Sequence, residues 1–103
     1  MEMIKRNLSA DKLQMVAKVL KTIGHPVKLE ILIQLEKEEP LDVTTICEKI
    51  DSPCEISMMS HHLAKLKSNG LLVSEKRGKQ VFYSIADRRL LKIFDCMENC
   101  DLF

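Results

Sequence analysis

Hydrophobic positions along this 103-residue chain recur with two different periods, and the change of period divides it into elements. Over residues 8–23, Leu8, Met15, Val16, Val19, Leu20 and Ile23 follow helical spacing, much of it three or four residues apart, and predict an amphipathic helix. Gly24 and Pro26 stop that helix and start the next. There Val27, Leu29, Ile31, Leu32, Ile33 and Leu35 leave little polar circumference, which predicts a central core helix ended by Pro40. Asp42 suits the N-cap of a short helix with Val43, Ile46, Cys47 and Ile50 on its buried face. "DSPCE" (51–55) reads as a turn. A further helix is expected from about Glu55 to Ser68, closed by Asn69 and Gly70.

Beyond Gly70 the period shortens. Two β-prone runs, Leu71–Glu75 and Gln80–Ile85, flank the charged turn Lys76-Arg77-Gly78-Lys79 and predict a hairpin. A last helix starts near Asp87 with Leu90, Leu91, Ile93, Phe94 and Met97 on one broad face. No repeat, linker or low-complexity tract appears, so residues 1–103 read as a single domain, mainly α with a small β-hairpin. Residues 42–69 follow the plan of a helix-turn-helix whose second helix enters the major groove. Residues 71–85 would then lie beside that groove as a wing.

Composition fits this picture. Hydrophobic residues make up 46% and charged residues 30%, the ordinary range of a soluble domain. No apolar run approaches the roughly 18 residues that cross a bilayer, and "MEMIKRNLSADKLQ" lacks the apolar stretch of a secretory signal. The expectation is a cytoplasmic protein without a membrane partner, its cysteines (Cys47, Cys54, Cys96, Cys100) reduced. No C-x-x-C pair is present, which removes the common structural zinc patterns.

Net charge is only +1, but it is unevenly spread. Residues 30–55 hold eight acids against two lysines, a balance of −6. Residues 56–80 hold five cations against Glu75, and the first 29 residues hold six against two, each a balance of +4. A basic surface separated from an acidic one suits an anionic partner. The adjacent His61 and His62 are poor metal ligands, because helix neighbours point roughly 100° apart. No nucleophile or cleft accompanies them as a catalytic pair, so no enzyme is expected.

"LKTIGHPVKLEILIQL" (20–35), "MSHHLAKLKSNGLLVSEKRGKQVFYSI" (59–85) and the flanking helices resemble the ArsR/SmtB family of winged-helix repressors over most of the chain. The resemblance implies a homodimer through the first and last helices (8–23 and 87–101). It also implies a double-stranded DNA operator and release by an inducer, commonly a metal or metalloid ion. On the recognition helix, Ser57, Met58, Ser60, His61 and Lys65 become candidate DNA contacts. His62, Leu63 and Leu66 turn to the core or the wing, with His62 half-buried. By type, Met58 and Met59 are packing residues, and Lys65 and Lys67 also suit a plain solvated face. Lys76, Arg77 and Lys79, three cations in a turn without an acid, are assigned to phosphates.

The family's inducer sites do not carry over. Asp42 and Thr44 stand where arsenic and cadmium members have cysteines, and Arg89 and Cys100 stand where zinc members have histidines, although Asp87 matches their acid. Cys96 and Cys100, four apart on the last helix, remain as a thiol pair for one soft ion such as As(III) or Cu(I), the sole cofactor suggested. Their Cβ separation of about 6 Å disfavours a disulfide. The alternative is two small apolar residues at a dimer seam. Cys47 has the character of a buried packing residue, and Cys54 lies in the turn before the recognition helix. Three functions stay open: an inducer-released repressor, a repressor without a small-molecule inducer, and a winged-helix module for protein contacts.

Overall fold

A computed structural model describes residues 9–51 and 54–100. Its order is α1 (Ala10–Ile23), α2 (Pro26–Lys37), β1 (Leu41–Asp42), α3 (Val43–Lys49), α4 (Ile56–Ser68), β2 (Leu72–Arg77), β3 (Gln80–Ile85), a 3-10 turn (Arg88–Leu91) and α5 (Lys92–Glu98). Leu8, Asp101, and Ser52 and Pro53 of the expected turn lie outside the described residues.

Local chemistry sets the helix ends. Ser9 accepts from the Lys12 N–H at 3.1 Å and caps α1. Pro26 opens α2 with a preset φ, and His25 Nδ1 accepts from the Val27 N–H at 3.2 Å. Asp42 caps α3, as its position predicts. At the end of α4, Leu71 N–H bonds Leu66 C=O and Gly70 N–H bonds Lys67 C=O, a Schellman closure. Gly70 holds the left-handed φ of 79° that this closure needs.

Ile31, Leu32, Leu35, Ile46, Met59, Leu63 and Leu66 are wholly buried, so α2 lies at the core with α3 and α4 against it. The sheet has the antiparallel order β1-β3-β2, with Leu41 opposite Tyr83 and Leu72 opposite Ile85. Strand β1 has two residues, too few to show a period, and was not foreseen.

Two boundaries differ from expectation. The hairpin turn is only Gly78-Lys79, with Arg77 paired to Gln80, so Lys76 and Arg77 belong to β2. Gly78, with φ 64°, supplies the first central position of a two-residue II′-type turn, which matches strand twist. The last helix is preceded by the 3-10 turn capped by Asp87 and ends at Glu98. Asn99 is its C-cap, and the Asn99 side chain also donates to Asp95 C=O at 2.9 Å. Cys100 N–H then bonds Met97 C=O, not Cys96 C=O, so the pair Cys96/Cys100 leaves α-helical register.

Candidate nucleic-acid interface

Helix α4 is divided lengthwise. Met59, His62, Leu63 and Leu66 face the core, while Ser57, Met58, Ser60, His61 and Lys65 are exposed. Met58 and Met59 therefore part company: Met59 packs, and Met58, like Ile56, stands half in solvent. Ile56 stands three residues before Met59 and seven before Leu63, a spacing that suits the core, yet in the first turn of α4 it is 55% exposed.

Near the start of α4, Ser60 and Ile56 share a cleft of about 290 Å³ with Thr44 of α3 and Lys79 of the wing. Asp42 builds its floor. One carboxylate oxygen caps α3 through the Thr45 N–H at 3.3 Å, and the other accepts from Gln80 Nε2 at 3.1 Å. The short helix and the wing are thus tied to one side chain. Asp42 is committed to this structural work, and Thr44 brings a hydroxyl where a thiol would serve a soft metal.

The wing cations are not equivalent. Arg77 reaches Glu75 at 3.3 Å and lies 5.0 Å over the Phe82 ring, because alternate strand residues share a face. The acid-free turn read from the sequence therefore fails at Arg77. No ion pair among the described residues engages Lys76 or Lys79.

His62 is buried more deeply than expected, at 8% exposure, with its ring 4.7 Å from that of His25. Its Nδ1 has no hydrogen-bond partner among the described residues. Burial pushes its pKa below the usual histidine value, and His25, Lys28 and His61 push the same way. A buried, neutral imidazole is the result. His61 is exposed on the neighbouring face, so the two do not converge on one ion.

The cysteines fall into two groups. Cys47 and Cys54 pack against the core, and burial, then Cys54 and Glu48, raises the Cys47 pKa and disfavours its thiolate. Cys96 is exposed and Cys100 partly buried. Asp87 is held by Arg89, whose guanidinium bonds it at 2.6 to 3.1 Å. These bonds bring the Asp87 pKa down to about 2. No group of three or more metal-ligand residues gathers among the described residues.

Leu13, Met15, Val16 and Leu20 of α1 lie open to solvent, and Met97 of α5 is 40% exposed. Met15, Val16, Val19 and Leu20 line one apolar cleft with Ile93 of α5, about 580 Å³ in volume. No helix among the described residues is long and apolar enough to cross a membrane.

No protein-family model matches the chain. Individual proteins do. The HTH-type transcriptional regulator NmtR of Mycobacterium tuberculosis is 36% identical over 80 residues, 78% of this chain and 64% of its own length. The transcriptional repressor PagR of Bacillus anthracis is 36% identical over 69 residues, 67% of each chain. The chain belongs to the ArsR/SmtB family of transcriptional regulators. Its fold is the family's winged helix-turn-helix: the homodimeric winged helix-turn-helix DNA-binding domain Mb0332 of Mycobacterium bovis superposes with a TM-score of 0.73 at 25% identity. That superposition covers 94% of this chain and 87% of the other. A regulator of this family is not an enzyme.

Proposed function

We propose that this ArsR/SmtB regulator is a homodimeric repressor that reads double-stranded operator DNA with α4 and holds the flanking backbone with its wing. The division of α4 carries the reading. A face of Ser57, Ser60 and His61 offers hydrogen bonds to base edges, and Ile56 and Met58 offer apolar contact to thymine methyls. Lys76 and Lys79 stand ready for phosphates, and Arg77 joins them by exchanging Glu75 for a phosphate oxygen. The apolar cleft of α1 and α5 supports a seam with the same surface of a second copy, related by a two-fold axis. The two recognition helices would then meet half-sites about 34 Å apart.

Repeated selection from a randomised duplex pool tests this. The expected product is an inverted repeat with half-sites about one helical turn apart, its preference shifted by Ser60→Ala or His61→Ala. Arg77→Ala with Lys79→Ala should weaken all sequences alike and flatten the salt dependence by up to about two units. A pool that emerges unenriched points to protein contacts in place of DNA.

The inducer belongs to the same proposal. Cys96 is exposed on α5, the helix that contributes Ile93 to the apolar cleft, and Cys100 follows just past its end. A soft ion or thiol-reactive agent bound there would alter the spacing of the recognition helices. Serine at both positions should abolish release of a preformed complex by As(III), Cu(I), Cd(II) or a persulfide donor. Equal release from the double variant moves the sensor elsewhere; no release from the unaltered protein favours a repressor without an inducer.

A further inference from the structure

Helix α4 has cationic groups on both flanks. On the wing side stands Lys79, across the cleft from Ser60. On the other side a separate cleft of about 370 Å³ opens between α1, α2 and α4, lined by Lys18, Lys21, Thr22, Lys28, Lys65 and Asn69. Four lysines from three helices line it, and no acidic residue is among its described lining. The ion pairs among the described residues, Arg77–Glu75, Arg88–Glu39 and Arg89–Asp87, lie elsewhere.

Helix dipoles account for only part of this cluster. Lys21 and Lys65 occupy the last turns of α1 and α4, where a cation is favourable. Lys28 occupies the first turn of α2, whose dipole repels a cation, and Lys18 is more than a turn from the α1 end. The polar floor leaves these charges unanswered. Thr22 Oγ1 donates to Lys18 C=O at 2.7 Å and accepts from Asn69 Nδ2 at 3.0 Å, so hydroxyl and amide serve each other. Four lysines around one cleft repel each other, and a multiply charged anion would relieve that repulsion and gain the positive end of α2.

We infer that this cleft binds a phosphate group. The exposed face of α4 identifies its source. His61 and Lys65, one turn apart on α4, lead from the base-reading positions into the cleft. A helix in the major groove has a phosphate strand on either side; the wing meets one, and the four lysines meet a phosphate of the other. The DNA source rests on the operator-binding reading above, whereas phosphate binding itself does not.

The test uses the full chain and two probes, a mixed-sequence duplex and inorganic pyrophosphate. The variant is Lys28→Gln with Lys65→Gln; the control, Lys37→Gln with Lys92→Gln, changes net charge equally but lies outside the cleft. Unfolding curves confirm that both fold. The variant should lower the slope of log affinity against log salt by about one unit, as loss of one phosphate contact does, while the control stays near the unaltered protein. Should the unaltered chain ignore the duplex, the operator reading fails and pyrophosphate decides the cleft. Amide shifts confined to the cleft residues, lost in the variant, then assign it to a free phosphorylated ligand. An unchanged slope together with no pyrophosphate shift overturns the proposal.

Discussion

Helices α1 and α4 have nearly the same length, 14 and 13 residues, and place their apolar side chains in opposite ways. Helix α4 sends Met59, Leu63 and Leu66 into the core at 0% exposure. Helix α1 leaves Leu13 and Leu20 more than half exposed and Met15 at 69%. Both look amphipathic in sequence. The difference lies in what the apolar stripe meets: among the described residues α4 packs on α2 and α3, while Met15, Val16 and Leu20 of α1 line an open cleft with Ile93. Periodicity reports that a face wants burial, not which molecule buries it.

The contrast breaks most sharply at the seam. With Val16→Glu and Leu20→Glu, a two-fold interface would hold four carboxylates, each costing several kcal/mol to desolvate. Sedimentation should show the dimer dissociation constant raised at least about 100-fold, with the dilute monomer's unfolding changed by less than about 0.5 kcal/mol. A variant that stays dimeric removes α1 from the seam. In the core the order reverses: Leu63→Ala should cost about 2 to 5 kcal/mol by denaturant unfolding at every protein concentration. Leu13→Ala under dilute conditions should cost under about 0.5. Equal costs would erase the distinction between the two helices.

Smaller effects sharpen the reading side. Asp42→Ala removes the α3 cap and should cost about 0.5 to 2 kcal/mol, with faster amide exchange in α3. Asp42→Asn, which keeps a capping oxygen, should cost less; equal losses would shift the weight from the cap to the Gln80 bond. The smallest effect is a pH slope from His62. Its folded pKa lies below the ordinary 6.5, so on acidification the unfolded chain takes the proton first and stability falls as pH drops below about 6.5. The loss levels off below the folded pKa. His62→Gln should flatten that slope, and a variant with the slope unchanged would relocate the titration.

Much of the fold was legible because its signals are local. Asp42 as a cap, Asn69-Gly70 as a helix closure and the two runs around Gly78 are each decided within a few residues. For the candidate site, the sequence showed which residues share α4 and the hairpin but not what surrounds each one. Arg77 is drawn aside by Glu75 and Phe82 because strand alternation places them on one face, which a count of cations in a turn ignores. His62 is buried beside His25, far away in sequence, so its environment exists only in the packed chain. Cys100 leaves helical register because α5 ends at Glu98 and the Cys100 N–H turns to Met97 C=O, an end effect that spacing alone misses. The lysine cleft gathers residues from three helices and has no contiguous signature at all.

Asn69 gives this arrangement a mechanical consequence. It caps the C-terminal end of α4, the helix proposed to read DNA, and is bonded to Thr22, which puts a pivot where α4 meets α1. Ser57 lies twelve positions away, a lever arm of roughly 18 Å at about 1.5 Å per residue. A tilt of about 5° at the pivot would swing the Ser57 end by roughly 1.6 Å, enough to stretch a hydrogen bond of about 2.9 Å beyond its useful range. A rearrangement at α1 too small to disturb the core would then suffice to lift the reading end out of register.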